Sequence, residues 1–356
     1  MSGSANPRRP TIRDVARLAG VSHQTVSRYL RQDLTINEAM RNRIGQAIAQ
    51  LDYRPNLVAR AMRDRKTGRL ALLLPPGTTV SSLSVLTGAS SAAQTAGYVV
   101  ELVTLGGSSE SYTGRVLELA DSGLFEGIVS LMALPQELLR RRNDPTPIVV
   151  MPFYDDHMRS IAELADASIS AEIIASLARL GHRRFVHLAG DYAHTSARRR
   201  REVYLETIER LGLESAGILD CGWRAEPARQ AVLDLPADSG VTAIIAANDV
   251  LATGALSGAL ARGWRVPEDL SVTGWDNNPV AAAMTPSMTT VDIDHERLGR
   301  RAMQQLLAAL GHPEPAGDQE PIGTIVWRES TGPAATPRVP AGTGHQGLRS
   351  RAPGPR

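Results

Sequence analysis

The sequence predicts an α/β protein: a small all-α head followed by a two-lobed α/β body. Three observations predict it. Residues 11–53 carry apolar positions at helical spacing in three short stretches. From Arg69 onward short apolar runs alternate with helical stretches, the rhythm of βαβ units and parallel sheets flanked by helices. Charge is also divided unevenly: residues 1–66 hold 13 Lys+Arg against 5 Asp+Glu, whereas residues 67–337 hold 22 against 32. A basic head on an acidic body points to a polyanion met by the head alone.

The composition narrows the function classes. The chain has 356 residues, room for two or three compact units, and 42% of them are apolar, as in soluble globular proteins. No apolar run is long enough to span a membrane. Met1–Pro10 has Arg8 and Arg9 but no apolar stretch behind them, so it does not read as a secretory signal. One cysteine, Cys221, cannot form an internal disulfide. Together these features fit a cytoplasmic protein. The chain shows no phosphate-binding glycine loop, no Cys/His metal spacing and no serine nucleophile elbow, and Asp292-Ile293-Asp294 lacks the rest of a calcium loop. The expectation is a non-enzyme with no cofactor and no metal.

Taken in order, residues 1–10 are Ser/Gly/Pro/Arg-rich and are expected to be disordered. Thr11, with Asp14 three residues on, caps a first helix whose Ile12, Val15, Ala16 and Ala19 share a face. Gly20 closes it. Ser22 caps a second helix, His23 to about Arg31, with Val26 and Leu30 inward, and a third starts at Asn37 with Ile44, Ile48 and Leu51 as its stripe. In the body, strands are expected at Leu70–Leu74, Tyr98–Val103, Gly127–Leu131, Ile148–Met151, Phe185–Ala189, Ala243–Ala247 and Ser271–Gly274. Helices are expected near 112–121, 168–180, 197–211, 225–234, 249–262 and 295–310. So many strands suit two sheets in two lobes. Residues 333–356 are Pro/Gly/Ala/Arg-rich without periodicity and read as a disordered tail.

Helix, glycine-containing turn and helix over Thr11–Leu30 is the helix-turn-helix plan, in which the second helix enters the DNA major groove. The pieces Asp14-Val15-Ala16, Ala19-Gly20-Val21-Ser22, Thr25-Val26-Ser27-Arg28 and Leu51-Asp52-Tyr53-Arg54-Pro55-Asn56 closely resemble the LacI/GalR family, and the resemblance runs to about Trp327. At these positions His23 and Gln24 open the recognition helix, where N-terminal residues meet base edges. Gln24 suits adenine and Arg28 suits guanine, each in bidentate fashion. The hydroxyls of Thr25 and Ser27 suit phosphate oxygens, which set register. With Thr11 and Ser22 at the helix starts, these residues make up the expected DNA-contact set of a headpiece over residues 11–54.

Pro55-Asn56-Leu57-Val58-Ala59-Arg60-Ala61-Met62-Arg63 resembles the family's hinge helix, within a linker expected at 55–67. The resemblance implies two such helices of a dimer in the minor groove, with Asn56 and Ala59 at the DNA and Met62 where the family has a wedging leucine. A helix this short is marginal alone, so it should form only when dimer and DNA both hold it.

Residues 68–332 resemble the family's type I periplasmic-binding-protein-like core. The expected lobes are about 68–163 with 292–320, and about 164–291 with 321–332. Family marks are Leu180-Gly181-His182-Arg183-Arg184, Leu188-Ala189-Gly190, Ser196-Ala197-Arg198-Arg199-Arg200, Ala247-Asn248-Asp249, Val272-Thr273-Gly274-Trp275-Asp276-Asn277 and Met288-Thr289-Thr290-Val291. The resemblance implies that Arg200, Asn248 and Asp276 face an inter-lobe cleft with Trp223 nearby. A guanidinium, an amide and a carboxylate suit sugar hydroxyls, and an indole can stack on a sugar ring. The first lobe departs from the family. Pro75-Pro76-Gly77-Thr78-Thr79-Val80-Ser81-Ser82-Leu83 has no aromatic, and Pro152-Phe153-Tyr154 stands where an acidic residue is usual, which makes Phe153 or Tyr154 the candidate platform, Phe153 being the one carried into the expected effector set. A carbohydrate, a nucleoside-like molecule and an unused cleft all stay open. The expected partners are a palindromic double-stranded operator, a small-molecule effector and a second copy of the chain, with no membrane. A secreted solute-binding protein would share the lobes but not the helix-turn-helix.

Overall fold

The computed structural model describes residues 10–30, 33, 35–54, 66–77, 80–107, 109–135, 138, 146–313 and 320–334. The expected hinge helix, with Asn56, Ala59 and Met62, lies outside the described residues, as do 1–9 and 335–356.

The head consists of α1 (Ile12–Ala19), α2 (His23–Leu30) and α3 (Glu38–Gln50). Thr11 starts α1 by donating both its amide and its hydroxyl to the Asp14 carboxylate, at 2.9 and 2.7 Å. Gly20 ends the helix at φ 63°, a left-handed turn that glycine enters without a Cβ clash. Asn37 caps α3 by accepting from the Met40 amide at 2.9 Å. Val15, Ala16, Ala19, Val26, Ile44, Ala47 and Tyr53 close the head's core.

The body has two four-stranded parallel sheets wound in the same order. In the first, β1 (Arg69–Leu74), β2 (Val99–Thr104), β3 (Gly127–Met132) and β4 (Ile148–Tyr154) run β2-β1-β3-β4. In the second, β5 (Arg184–Ala189), β6 (Glu214–Asp220), β7 (Ala243–Ala246) and β8 (Ser271–Thr273) run β6-β5-β7-β8. The first sheet is flanked by α4 (Val80–Thr95) and α5 (Ser109–Asp121). The second is flanked by α6 (Ile169–Arg179), α7 (Thr195–Arg210), α8 (Ala225–Leu233), α9 (Asp249–Ala261) and the short α10 (Pro279–Ala283). β9 (Thr290–Ile293) pairs antiparallel with β10 (Gly323–Val326), and α11 (His295–Ala309) lies between them in sequence.

Each sheet carries apolar packing on both faces, so its inner strands read as nearly unbroken apolar runs. The chain crosses between the sheets more than once. Thr289, just before β9, bridges to the end of the second sheet, where the Gly274 amide donates to the Thr289 carbonyl at 2.9 Å. The next helix, α11, then buries Leu298, Ala302, Met303 and Leu306 against Leu70 and Leu72 of the first sheet.

The structure adds α4, β6, β9, β10 and α10 to the expected elements. Serines, threonines and small residues fill α4 and hide its helical rhythm, yet they allow a close crossing with α11. A Cβ on Gly88 would stand 1.9 Å from the Glu296 carbonyl oxygen, and one on Gly299 would stand 1.9 Å from that of Val85. β6 is an edge strand interrupted by Gly217 and only partly covered, so it lacks a continuous apolar run.

Candidate functional site

The first candidate surface is the start of α2. The Ser22 hydroxyl accepts from the Thr25 amide at 3.1 Å and lies 2.9 Å from the Thr25 hydroxyl, which holds the first turn. Val26 is fully buried and fixes the helix against the head's core. His23 and Gln24 consequently project outward, both exposed, while Thr25 and Ser27 are half-buried beside them. Thr11 is already engaged with Asp14. Arg28 is exposed and engaged within the head. Its Nε donates to Asp33 at 2.8 Å and one terminal nitrogen donates to the Thr35 hydroxyl. Hydrogen bonds from Thr35 and Arg28 hold the Asp33 carboxyl well below the usual carboxylate range. Arg28 therefore braces the loop after α2, and a bidentate contact to guanine would require it to leave both partners.

The second candidate site is the carboxyl end of the second sheet, where open parallel sheets bind ligands. Four loops converge there, after β5, β6, β7 and β8. Arg200 comes from α7 and is buried at 7% exposure. Its Nη1 donates to the Ala247 carbonyl at 2.5 Å, its guanidinium lies over the Trp275 ring at 4.3 Å, and its Nη2 stands 3.9 Å from the Asp276 carboxylate. Burial lowers the Arg200 pKa from its ordinary range, against the pull of Asp276 and Asp249.

Asp276 is held at φ 101° and Asn277 at φ 45°, conformations that cost a non-glycine residue roughly 1–3 kcal/mol each. Their surroundings pay for this strain. Asn277 donates to Asp292 at 3.0 Å and accepts from Arg328 at 2.7 Å, and the Asp276 amide donates to the Val291 carbonyl at 3.0 Å. The Asp276 side chain is 56% open to solvent, yet surrounding protein raises its pKa to about 6 despite the opposing pull of Arg200. Both facts fit a carboxylate on the wall of a recess, wet on one side and starved of water on the others.

Asn248 caps α9: its Oδ1 accepts from the Leu251 amide at 3.0 Å, so the amide oxygen is committed. Trp223 packs closely against Gly190, where a Cβ would come within 2.3 Å of the indole, and its Nε1–H donates to His194 Nδ1 at 3.1 Å. The structure thus brings Arg200 and Asp276 into one electrostatic pair, and sets Asn248 and Trp223 at neighbouring strand ends.

Phe153 requires a correction. It is 2% exposed and belongs to the core formed by Leu70, Leu74, Tyr154 and Leu164, so it presents no ring face for stacking. Continuation of β4 through Tyr154 turns the expected post-strand loop into strand and sends that ring inward. The sequence reading also missed three contributors. Trp275 is the surface on which Arg200 lies. His194 orients Trp223. Asp249 is buried and accepts from the Thr290 hydroxyl at 2.6 Å and the Asn278 amide at 2.7 Å, tying α9 to the strained turn. Its place in the Ala247-Asn248-Asp249 family mark was the signal that pointed to it.

Comparison with known proteins gives concordant results. The pattern of bacterial regulatory proteins of the lacI family matches residues 11–56, and a periplasmic binding protein-like domain matches residues 174–331. The chain is 29% identical over 311 residues to the HTH-type transcriptional repressor PurR of Vibrio cholerae, spanning 85% of this chain and 92% of that protein. Among solved structures, the Lac repressor bound to ONPG in its repressed state aligns with a TM-score of 0.67 at 26% identity, over 91% of this chain and 100% of that one. The Lac repressor dimer bound to operator and the anti-inducer ONPF shares the fold, with a TM-score of 0.68 at 24% identity over 91% and 99% of the two chains.

Proposed function

Because the chain belongs to the LacI family of bacterial regulatory proteins, we propose that it is a transcriptional repressor that binds a palindromic operator as a homodimer and is controlled by a small molecule held between its lobes. The observation that carries this reading is α2: its inner face is closed by Val26, and its first turn offers His23 and Gln24 to solvent on a basic head. A palindrome needs two such helices related by a two-fold axis. His23 and Gln24 read base edges, while Thr25 and Ser27 seat the helix on phosphates. Asn56, Ala59 and Met62 serve the operator centre, as the family resemblance implies.

The effector is a sugar or related metabolite. Arg200 and Asp276 offer a donor and an acceptor side by side to hydroxyl groups, and Asn248 and Trp223 complete the wall. Closure on the ligand shifts one lobe against the other and alters the spacing of the two heads. Couplings of this kind are about 1–3 kcal/mol and reciprocal. The protein works in the cytoplasm, where operator and metabolite meet. Among the described residues no helix is long and apolar enough to cross a membrane.

Two experiments test this. Selection from a random duplex library should return an inverted repeat whose binding weakens steeply with salt; absence of any preferred duplex rejects the operator reading. Thermal-shift screening against mono- and disaccharides and nucleosides should return a ligand that raises the melting temperature with concentration. A melting temperature unmoved by the whole panel rejects the sugar class.

A further inference from the structure

Beneath the polar end of the second sheet, two buried polar atoms have no hydrogen-bond partner: Nε2 of His187 and Nε of Arg200. Both residues are more than nine-tenths buried, at 1% and 7% exposure. They are near neighbours. Arg200 and Tyr204 stand four residues apart on α7, and therefore on one face, and the Tyr204 ring stacks on the His187 ring at 5.1 Å between centroids. Both side chains also reach toward β7. His187 Nδ1 lies 2.9 Å from the Ile245 carbonyl oxygen, and Arg200 Nη1 donates to the Ala247 carbonyl two residues further on.

The tautomer follows from these contacts. A carbonyl oxygen only accepts, so the proton sits on Nδ1 and Nε2 carries a lone pair. Burial, reinforced by the charges of Arg200 and Arg201, pushes the imidazole down to about 4 and keeps it neutral. Arg200 Nε–H can only donate. The two unpartnered atoms are thus opposite in sense, an acceptor and a donor on buried side chains that reach toward the same strand. Interiors meet such a need with ordered water.

We propose that His187 is a positioning residue for the Arg200 guanidinium, its neutral Nε2 accepting through one enclosed water the hydrogen bond that Arg200 Nε–H has to give. The water accepts from Nε–H and donates to Nε2. A planar guanidinium held at Nε by this relay, at Nη1 by Ala247 and on its face by Trp275 cannot rotate. Its remaining edge, Nη2, is then aimed at Asp276 and the space beyond. The functional consequence rests on the reading of Arg200 as an effector residue, whereas the relay itself needs no effector.

The test uses the full chain with nitrogen-15-labelled arginine and histidine, and no added ligand. The Arg200 Nε–H resonance is assigned by its loss in Arg200→Lys. In the wild type it should exchange slowly with solvent, and His187 should show the Nδ1–H tautomer. His187→Phe keeps a ring against Tyr204 but has no lone pair, and should speed Arg200 Nε–H exchange on the order of tenfold. His187→Gln returns an acceptor to the same place and should restore protection. Unchanged exchange in His187→Phe, or an Nε2–H tautomer in the wild type, overturns the proposal. If His187→Phe fails to fold, the wild-type tautomer still decides it. An Arg200 that proves irrelevant to effector response would leave all of these resonances unaltered, so the two readings fail separately.

Discussion

The start of α2 and the carboxyl end of the second sheet are both polar, and they are built in opposite ways. On α2, His23 and Gln24 are exposed, and order comes from the helix behind them, pinned by buried Val26. At the sheet end, Arg200 and Asp249 are buried and bonded to the protein itself, and Asp276 is held in a strained backbone. A long rigid duplex supplies its own shape, so its reader needs only a firm platform. A small ligand supplies little, so its site must hold each group in place beforehand. The difference teaches that substitutions on α2 should alter recognition without altering stability, whereas substitutions at the sheet end should couple the two.

The largest expected effect lies at the sheet end. Arg200→Ala removes the cation facing Asp276 and should abolish effector response while leaving operator affinity near wild type, measured by fluorescence anisotropy on an operator duplex with and without the screened ligand. Loss of DNA binding with retained response would invert the division between the two regions.

Acid should next separate the regions. His187 binds its proton near pH 4 in the folded protein against an ordinary 6.5, so the unfolded chain takes up the proton first. Stability is therefore complete above about pH 6.5 and falls by about 3 kcal/mol as pH drops toward 4. Asp276 works in the opposite direction: raised from 3.8 to about 6, it favours the folded state as pH falls through that window. Its half-open side chain makes this the smaller contribution. Melting curves across this range should show the net loss, and His187→Phe should flatten the acid limb. A limb unchanged in that variant would place the acid sensitivity elsewhere.

On α2 the expected costs are about 1–3 kcal/mol of operator affinity for each of His23→Ala and Gln24→Ala, the loss of one proposed base contact apiece. Both should shift unfolding free energy by less than about 0.5 kcal/mol, as exposed positions do. A marked fall in melting temperature would show that this surface is structural. The smallest effect is Asn248→Ala, which removes the N-cap of α9 and should cost about 1 kcal/mol in denaturant unfolding. A cost near zero would free Asn248 from its cap role.

Sequence pattern gave the head almost completely, because caps and turns are local: Thr11 with Asp14, Gly20, Ser22 and Asn37 each act within a few residues. The inner strands were legible because burial on both faces writes them as apolar runs. The helix α4 was hidden because close packing through Gly88 selects small residues over an apolar stripe. At the site, Arg200 and Asp276 were found through family motifs, but the support of Arg200 by Trp275 depends on a fold-dependent meeting of α7 with the loop after β8. Phe153 was misplaced because a phenylalanine at a strand's end reads alike whether the strand stops before it or runs through it. The brace from Arg28 to Asp33, five residues on, was not legible because it depends on how the loop after α2 folds back.

The most direct measurement is sequence selection from a random duplex library by the wild-type protein and by a variant with His23 and Gln24 replaced by another pair. If α2 reads the major groove from two symmetry-related heads, both proteins select inverted repeats, with different half-sites. Selection of one and the same site by both proteins, or of no site by the wild type, would contradict it.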